Sequence, residues 1–165
     1  MVACCRPPMS RRNDEQRNAK YQKKIADACQ PHVGEPIKVV GLFQPHGTLG
    51  AFGTGYFVSP FAGAAMQGDA NARAAGMPEV GLYALTETNL HVCAGTPRGT
   101  GWKVKEYIGY WPRSSFTVAP VAGKLTDQVV LDFGEGDTIR LESIRMMSGG
   151  FNQDIIEELV AGGAA

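Results

Sequence analysis

The chain has 165 residues, 44% hydrophobic and 19% charged, which suits one globular domain with an extra terminal segment and a core that needs no disulfides or metal to form. Its formal net charge of zero is unevenly spread: residues 1–38 carry eight Lys/Arg against four Asp/Glu, and residues 69–165 carry eight against twelve. A basic N-terminal arm therefore precedes an acidic body, and the arm reads as a solvated basic helix rather than a nucleic-acid contact, for which it lacks interleaved aromatics.

Residues 1–12 show no pattern. MVACCRPPMSRR lacks an apolar core before its charges, so no signal peptide is expected. The four cysteines at 4, 5, 29 and 93 form no spaced framework, which points to a cytoplasmic protein with reduced thiols, with the inner membrane face as an alternative location. Next, Asn13 can cap a helix, with Asp14 and Glu15 in its first turn and Gln16 at the capping-box position; Pro31 stops it. Its apolar stripe is thin: Ala19, Ile25, Ala26 and Cys29, with Tyr21 to one side, so light docking is expected.

Ile37 to Gln44 reads as a strand rich in β-branched residues. From Val39 to Gly68 no residue is charged. This stretch holds Phe52, Tyr56, Phe57 and Phe61 among many Gly and Ala. Pro45 and Pro60 interrupt it and its glycines dilute it, so a transmembrane helix is not expected. Three readings stay open: a loop folded back over the core, a surface for a protein partner or self-association, and a wedge into a membrane interface. DANARAAGMP, ending at Pro78, suits one or two helical turns.

From Glu79 the pattern is β. Leu82 and Ala84, then Leu90 and Val92, form two short strands around Thr86–Asn89. In residues 102–111, strict alternation sets Val104, Glu106, Ile108 and Tyr110 on one face and Lys103, Lys105, Tyr107 and Trp111 on the other. Pro112 breaks that strand, and SSFTVAP begins another. Residues 127–144 form a hairpin, with Val129, Leu131 and Phe133 on one face, a turn at Gly134–Asp137, and Ile139 and Leu141 on the return. Thr138, Arg140 and Glu142 point the other way. A short helix closes the chain. Asn152 is its cap, Phe151 can staple onto Ile156, Ile155, Ile156, Leu159 and Val160 make its stripe, and Gly162 ends it.

Motifs for chemistry are weak. Gly53-x-Gly55 is followed by Val58 where a dinucleotide loop needs its third glycine, and no Walker lysine follows. Cys29-x-x-His32 and His91-x-Cys93 have ligand-like spacing, but Cys93 reads better as a small core residue than as a zinc ligand. No nucleophile elbow is present, Ser114–Ser115 falls at a strand start, and Asp132, Glu135 and Asp137 serve a turn. No catalytic residue, cofactor or metal is assigned.

The segment Leu82-Tyr83-Ala84-Leu85-Thr86-Glu87-Thr88-Asn89-Leu90-His91-Val92, the aliphatic–aromatic strand at 102–111, the Gly/Asp hairpin LDFGEGDTIRLES and the closing helix resemble the pleckstrin-homology-like (PH-like) superfold, in particular its GRAM and bacterial branches. The chain is also similar to small bacterial proteins with a Gly/Ala-rich insertion after the first strand. The resemblance implies a mainly β (α+β) fold: a bent antiparallel sheet or partly open barrel, capped by a C-terminal helix, here with an added N-terminal helix. Residues 1–34 would be arm and helix, 35–161 the domain with its insertion at 45–78, and 162–165 a tail. It also implies a non-catalytic adaptor that associates with a protein or a membrane surface. Phosphoinositide-binding members carry several Lys/Arg in the first hairpin loop, whereas the Thr86–Asn89 turn has only Glu87. Lys103, Lys105 and Arg113 would form at most a diffuse basic patch. The alternatives are a structural subunit of a larger assembly, and a small-ligand carrier or enzyme with a pocket between helix and sheet.

Overall fold

The structure is a computed structural model that describes residues 9–45, 77–122, 127–143 and 151–162. Helix α1 spans Met9–Cys29 and runs into a 3-10 turn at Gln30–His32, with Pro31 in its first turn. It opens ahead of Asn13, where the capping pattern placed the start. Met9 to Arg12 tolerate a helix, and the first strong breakers upstream are Pro7 and Pro8.

Among the described residues seven strands follow: β1 Val39–Pro45, β2 Gly81–Leu85, β3 Asn89–Arg98, β4 Gly101–Pro112, β5 Thr117–Ala122, β6 Asp127–Asp132 and β7 Thr138–Ser143. Helix α2, Gln153–Gly162, comes last. All the pairings are antiparallel, in the order β4-β3-β2-β1-β7-β6-β5. The fold is thus mainly β with a helix at each end. The sheet is not closed, and β4 and β5 are its edges. Both edges carry devices that discourage further pairing, Pro120 in β5 and Lys103, Lys105 and Pro112 in β4.

Among the described residues, each face of the sheet packs under one helix. Val40, Leu42, Leu82, Ala84 and Cys93 form a buried layer with Ile25 and Cys29 of α1. On the other face Phe43, Tyr83, Leu85 and Leu90 join Leu131 and Leu141 and the α2 residues Ile155, Ile156 and Leu159. One cluster draws from β2 and β3 as well as β6 and β7, so the sheet curves around that core. Strand β2 is buried at all five positions, as a central strand covered on both faces must be, rather than alternating with polar neighbours.

Several local expectations are corrected. Tyr21 lies on the docking stripe of α1, four and eight residues before the buried Ile25 and Cys29, whereas Ala19 is exposed. The faces of β4 do not follow strict alternation. Register shifts pair Val92 with Gly109 but Cys93 with Tyr107, and Ala94 with Glu106 but Gly95 with Val104. Each shift reverses the phase of the pleat. Trp102, Val104 and Tyr107 therefore pack on the α1 side, and Ile108 and Trp111 on the α2 side. Ser114 and Ser115 lie in a 3-10 turn, Arg113–Ser115, where the Ser115 hydroxyl donates to the Pro112 carbonyl. Val160 is exposed, because the inward arc of so short a helix is filled by Ile155, Ile156 and Leu159.

Asn152 precedes α2, but its side chain turns to β1. Its Oδ1 accepts from Leu42 N at 2.9 Å, and its Nδ2 donates to Leu42 O at 2.6 Å and to Ser143 Oγ at 3.0 Å. Phe151 packs into the α1-side layer while Ile156 belongs to the opposite one, so the two form no staple.

Candidate functional site

The loop aromatics Phe52, Tyr56, Phe57 and Phe61 lie outside the described residues. So do residues 69–76 of the one or two helical turns expected over the segment ending at Pro78, whose described residues, Met77 and Pro78, are not helical. The segment that holds them connects β1 to β2, which are adjacent, paired strands. It is therefore the connection of the first hairpin. The family-like hairpin at Leu82–Val92 is the second.

Of the three basic residues, Lys103 and Lys105 are exposed near the start of β4. Arg113 follows its far end, where its guanidinium donates to the Glu158 carbonyl in α2 at 2.7 Å. A cation is favourable at that end of a helix, where carbonyls are left without intrahelical partners. The arrangement does not gather the three around one anion.

The densest polar constellation in the described structure sits at the β2–β3 turn. Glu35, from the segment between α1 and β1, accepts from Thr86 Oγ1 at 2.7 Å, Thr88 Oγ1 at 2.8 Å and Asn89 Nδ2 at 2.6 Å. Bonds from Thr86 and Thr88, helped by Asn89, hold its carboxyl below the usual carboxylate range. Glu87 on the same turn pairs with Lys38 at 3.1 Å. The turn thus presents two carboxylates where a phosphate-binding turn needs cations.

Two residues along β3, His91 is 5% exposed. Its Nδ1 and the Tyr107 hydroxyl are hydrogen-bonded at 2.9 Å, and the ring of Tyr110, 56% exposed, stands 5.5 Å away. Burial pushes the His91 pKa down, opposed by the charge of Glu35, so the imidazole is neutral at pH 7. Burial likewise raises the Tyr107 hydroxyl. His91 Nε2 is buried and finds no partner among the described residues. Such an orphaned group costs about 1–3 kcal/mol.

Cys29 and Cys93 are fully buried in the α1-side layer, where the neighbouring Cys93 thiol, together with burial, pushes the Cys29 thiol up. His32 is exposed. Among the described residues no three His, Cys, Asp or Glu side chains are placed to share a metal ion. Asp132 serves its turn, accepting from Gly134 N at 2.8 Å.

Compared with known proteins, the chain matches no family model, no curated protein and no solved structure.

Among the described residues no helix is long and apolar enough to cross a membrane. The Glu35 cluster was invisible to motif reasoning because Glu35 lies more than fifty positions from its three partners. A sequence signal did exist: Thr-x-Thr-Asn at a turn offers donors that a nearby carboxylate would satisfy.

Proposed function

We propose that this protein is a non-catalytic PH-like adaptor that associates with a protein surface, a second copy of itself included, through the charge-free Gly/aromatic connection between β1 and β2. The observation that carries the reading is the frame: an open seven-stranded antiparallel sheet curved around one core, with the last helix packed inside it. That is the arrangement the PH-like resemblance implies, and its first hairpin connection is the segment that lacks charge from Val39 to Gly68. The carboxylates at the β2–β3 turn and the separation of Arg113 from Lys103 and Lys105 favour a protein partner over an anionic lipid headgroup.

The test replaces residues 47–68 with a short Gly/Ser linker. Both proteins are run through size-exclusion light scattering and flotation with liposomes containing anionic lipid. We expect the intact protein to assemble without lipid and the variant to be a folded monomer. Two folded monomers that do not float would remove this reading and turn attention to the sheet–helix interior. Flotation of the intact protein alone would favour the membrane surface. Unfolding of the variant would make the segment part of the core.

A further inference from the structure

We propose that Cys29 and Cys93 are a latent disulfide site, closed by a small peroxide, that fastens helix α1 covalently to the sheet. Cys29 is the last residue of α1, and Cys93 lies in β3 between Leu82 of β2 and Tyr107 of β4. This is the face that α1 covers, and both thiols lie in one buried cluster with Leu82 and Ala84. Both are free in the structure.

Two features let an oxidant in. The residues of helix α1 from Glu15 to Lys20 are mostly exposed. Its buried contacts begin only at Tyr21 and are joined by Gln22, which donates to Phe151 O at 3.0 Å and accepts from Val40 N at 3.3 Å, so both sulfurs are uncovered together when this seated contact opens transiently.

In the first step the Cys93 thiolate attacks one oxygen of hydrogen peroxide. The O–O bond breaks, hydroxide leaves and takes a proton, and Cys93 becomes a sulfenic acid. Cys29, deprotonated as it attacks, then displaces the sulfenic oxygen. The S–S bond forms, the S–O bond breaks, and a second water is released. Two thiols and one peroxide give one disulfide and two waters, and two electrons pass from sulfur to oxygen. The same balance holds if Cys29 is oxidised first and Cys93 resolves it.

The test uses the full chain and a Cys4→Ser, Cys5→Ser variant that leaves only these two thiols. Each is treated with hydrogen peroxide while folded, quenched in acid, unfolded in N-ethylmaleimide and mapped by mass spectrometry. The expected product is a linked pair of peptides carrying Cys29 and Cys93, about 2 Da lighter than the two thiols and separated again by a phosphine reductant. The oxidised protein should also melt at a higher temperature, with the gain erased by reduction, because the bridge closes a long loop of the unfolded chain. A Cys29→Ser variant should stop at an oxidised, unlinked Cys93. The wild-type map stands without it if that variant fails to fold. Full maleimide labelling of both cysteines after oxidation, linkage only between Cys4 and Cys5, or a wild-type Cys93 that advances to the sulfinic acid with Cys29 still free would each overturn the proposal.

Discussion

A single buried amide ties the last helix to the first strand. The β1–β7 ladder ends at the pair Phe43–Ser143, and at Leu42 the Asn152 side chain takes over, offering a donor and an acceptor like one more peptide unit. Asn152→Ala would strand Leu42 N and O in the interior. The expected loss is about 2–4 kcal/mol, read as a lower urea midpoint. Asn152→Asp keeps the acceptor for Leu42 N but sets an oxygen against Leu42 O, and should be no milder. The sequence marked Asn152 as special and gave it the wrong partner, because capping is a local pattern while Leu42 lies 110 positions away.

His91 and Glu35 give stability two steps with pH. His91 has a folded value below its ordinary 6.5, so the unfolded chain takes the proton first as pH falls. Its contribution is complete above about 6.5 and is lost below it. Glu35 has a folded value below its ordinary 4.5, so its contribution is present above 4.5 and is lost as pH falls through the lowered value. Urea midpoints measured from pH 7.5 down to about 2.5 should show both declines in wild type. His91→Phe should erase the first decline and leave the later one, and an unchanged first decline would assign it elsewhere.

Among the elements, those legible in the sequence have a short, unbroken period. The β6–β7 hairpin stands as expected, with Val129, Leu131, Ile139 and Leu141 buried on one face. So does the α2 stripe, apart from Val160. Strand β4 was misread because its two bulges arise from pairing with β3, which no local period encodes. Gly41 is an element-scale constraint of the same kind. A Cβ there would meet Ile155 Cγ2 at 2.7 Å, Phe43 Cε2 at 2.8 Å and Asn152 Oδ1 at 3.1 Å. Its hydrogen lets α2 approach β1. Gly41→Ala should therefore destabilise by about 1–3 kcal/mol by thermal or urea unfolding, although alanine normally suits a strand better than glycine does.

At the scale of the molecule, composition and hydrophobic spacing were enough for a mainly antiparallel sheet with a helix at each end, since no alternation of strands and helices runs along the chain. They were not enough for the Glu35 and His91 constellation, whose members come from a loop, a turn and two strands. Nor did they reveal how firmly α1 is seated. A thin stripe suggested a loose helix, yet Ile25 and Cys29 are fully buried and cover Leu42, Leu82 and Cys93. A version lacking residues 1–34 should expose that apolar layer, bind a hydrophobic dye and self-associate in light scattering. A soluble, dye-silent monomer would show that α1 is not needed as a cover.

The position of β1 has a consequence for synthesis. Among the described strands it is the first made, yet it lies at the centre of the sheet, with β7 on one side and an amide from beyond β7 clasping Leu42. At about 5–20 residues per second, a ribosome needs roughly 5–20 s to travel from Leu42 to Asn152. Throughout that interval the nascent chain can assemble the meander β1–β4 but carries one unzipped central margin. The growing polypeptide thus exposes a sticky seam until its final helix emerges, which is the window in which a holding chaperone would matter most.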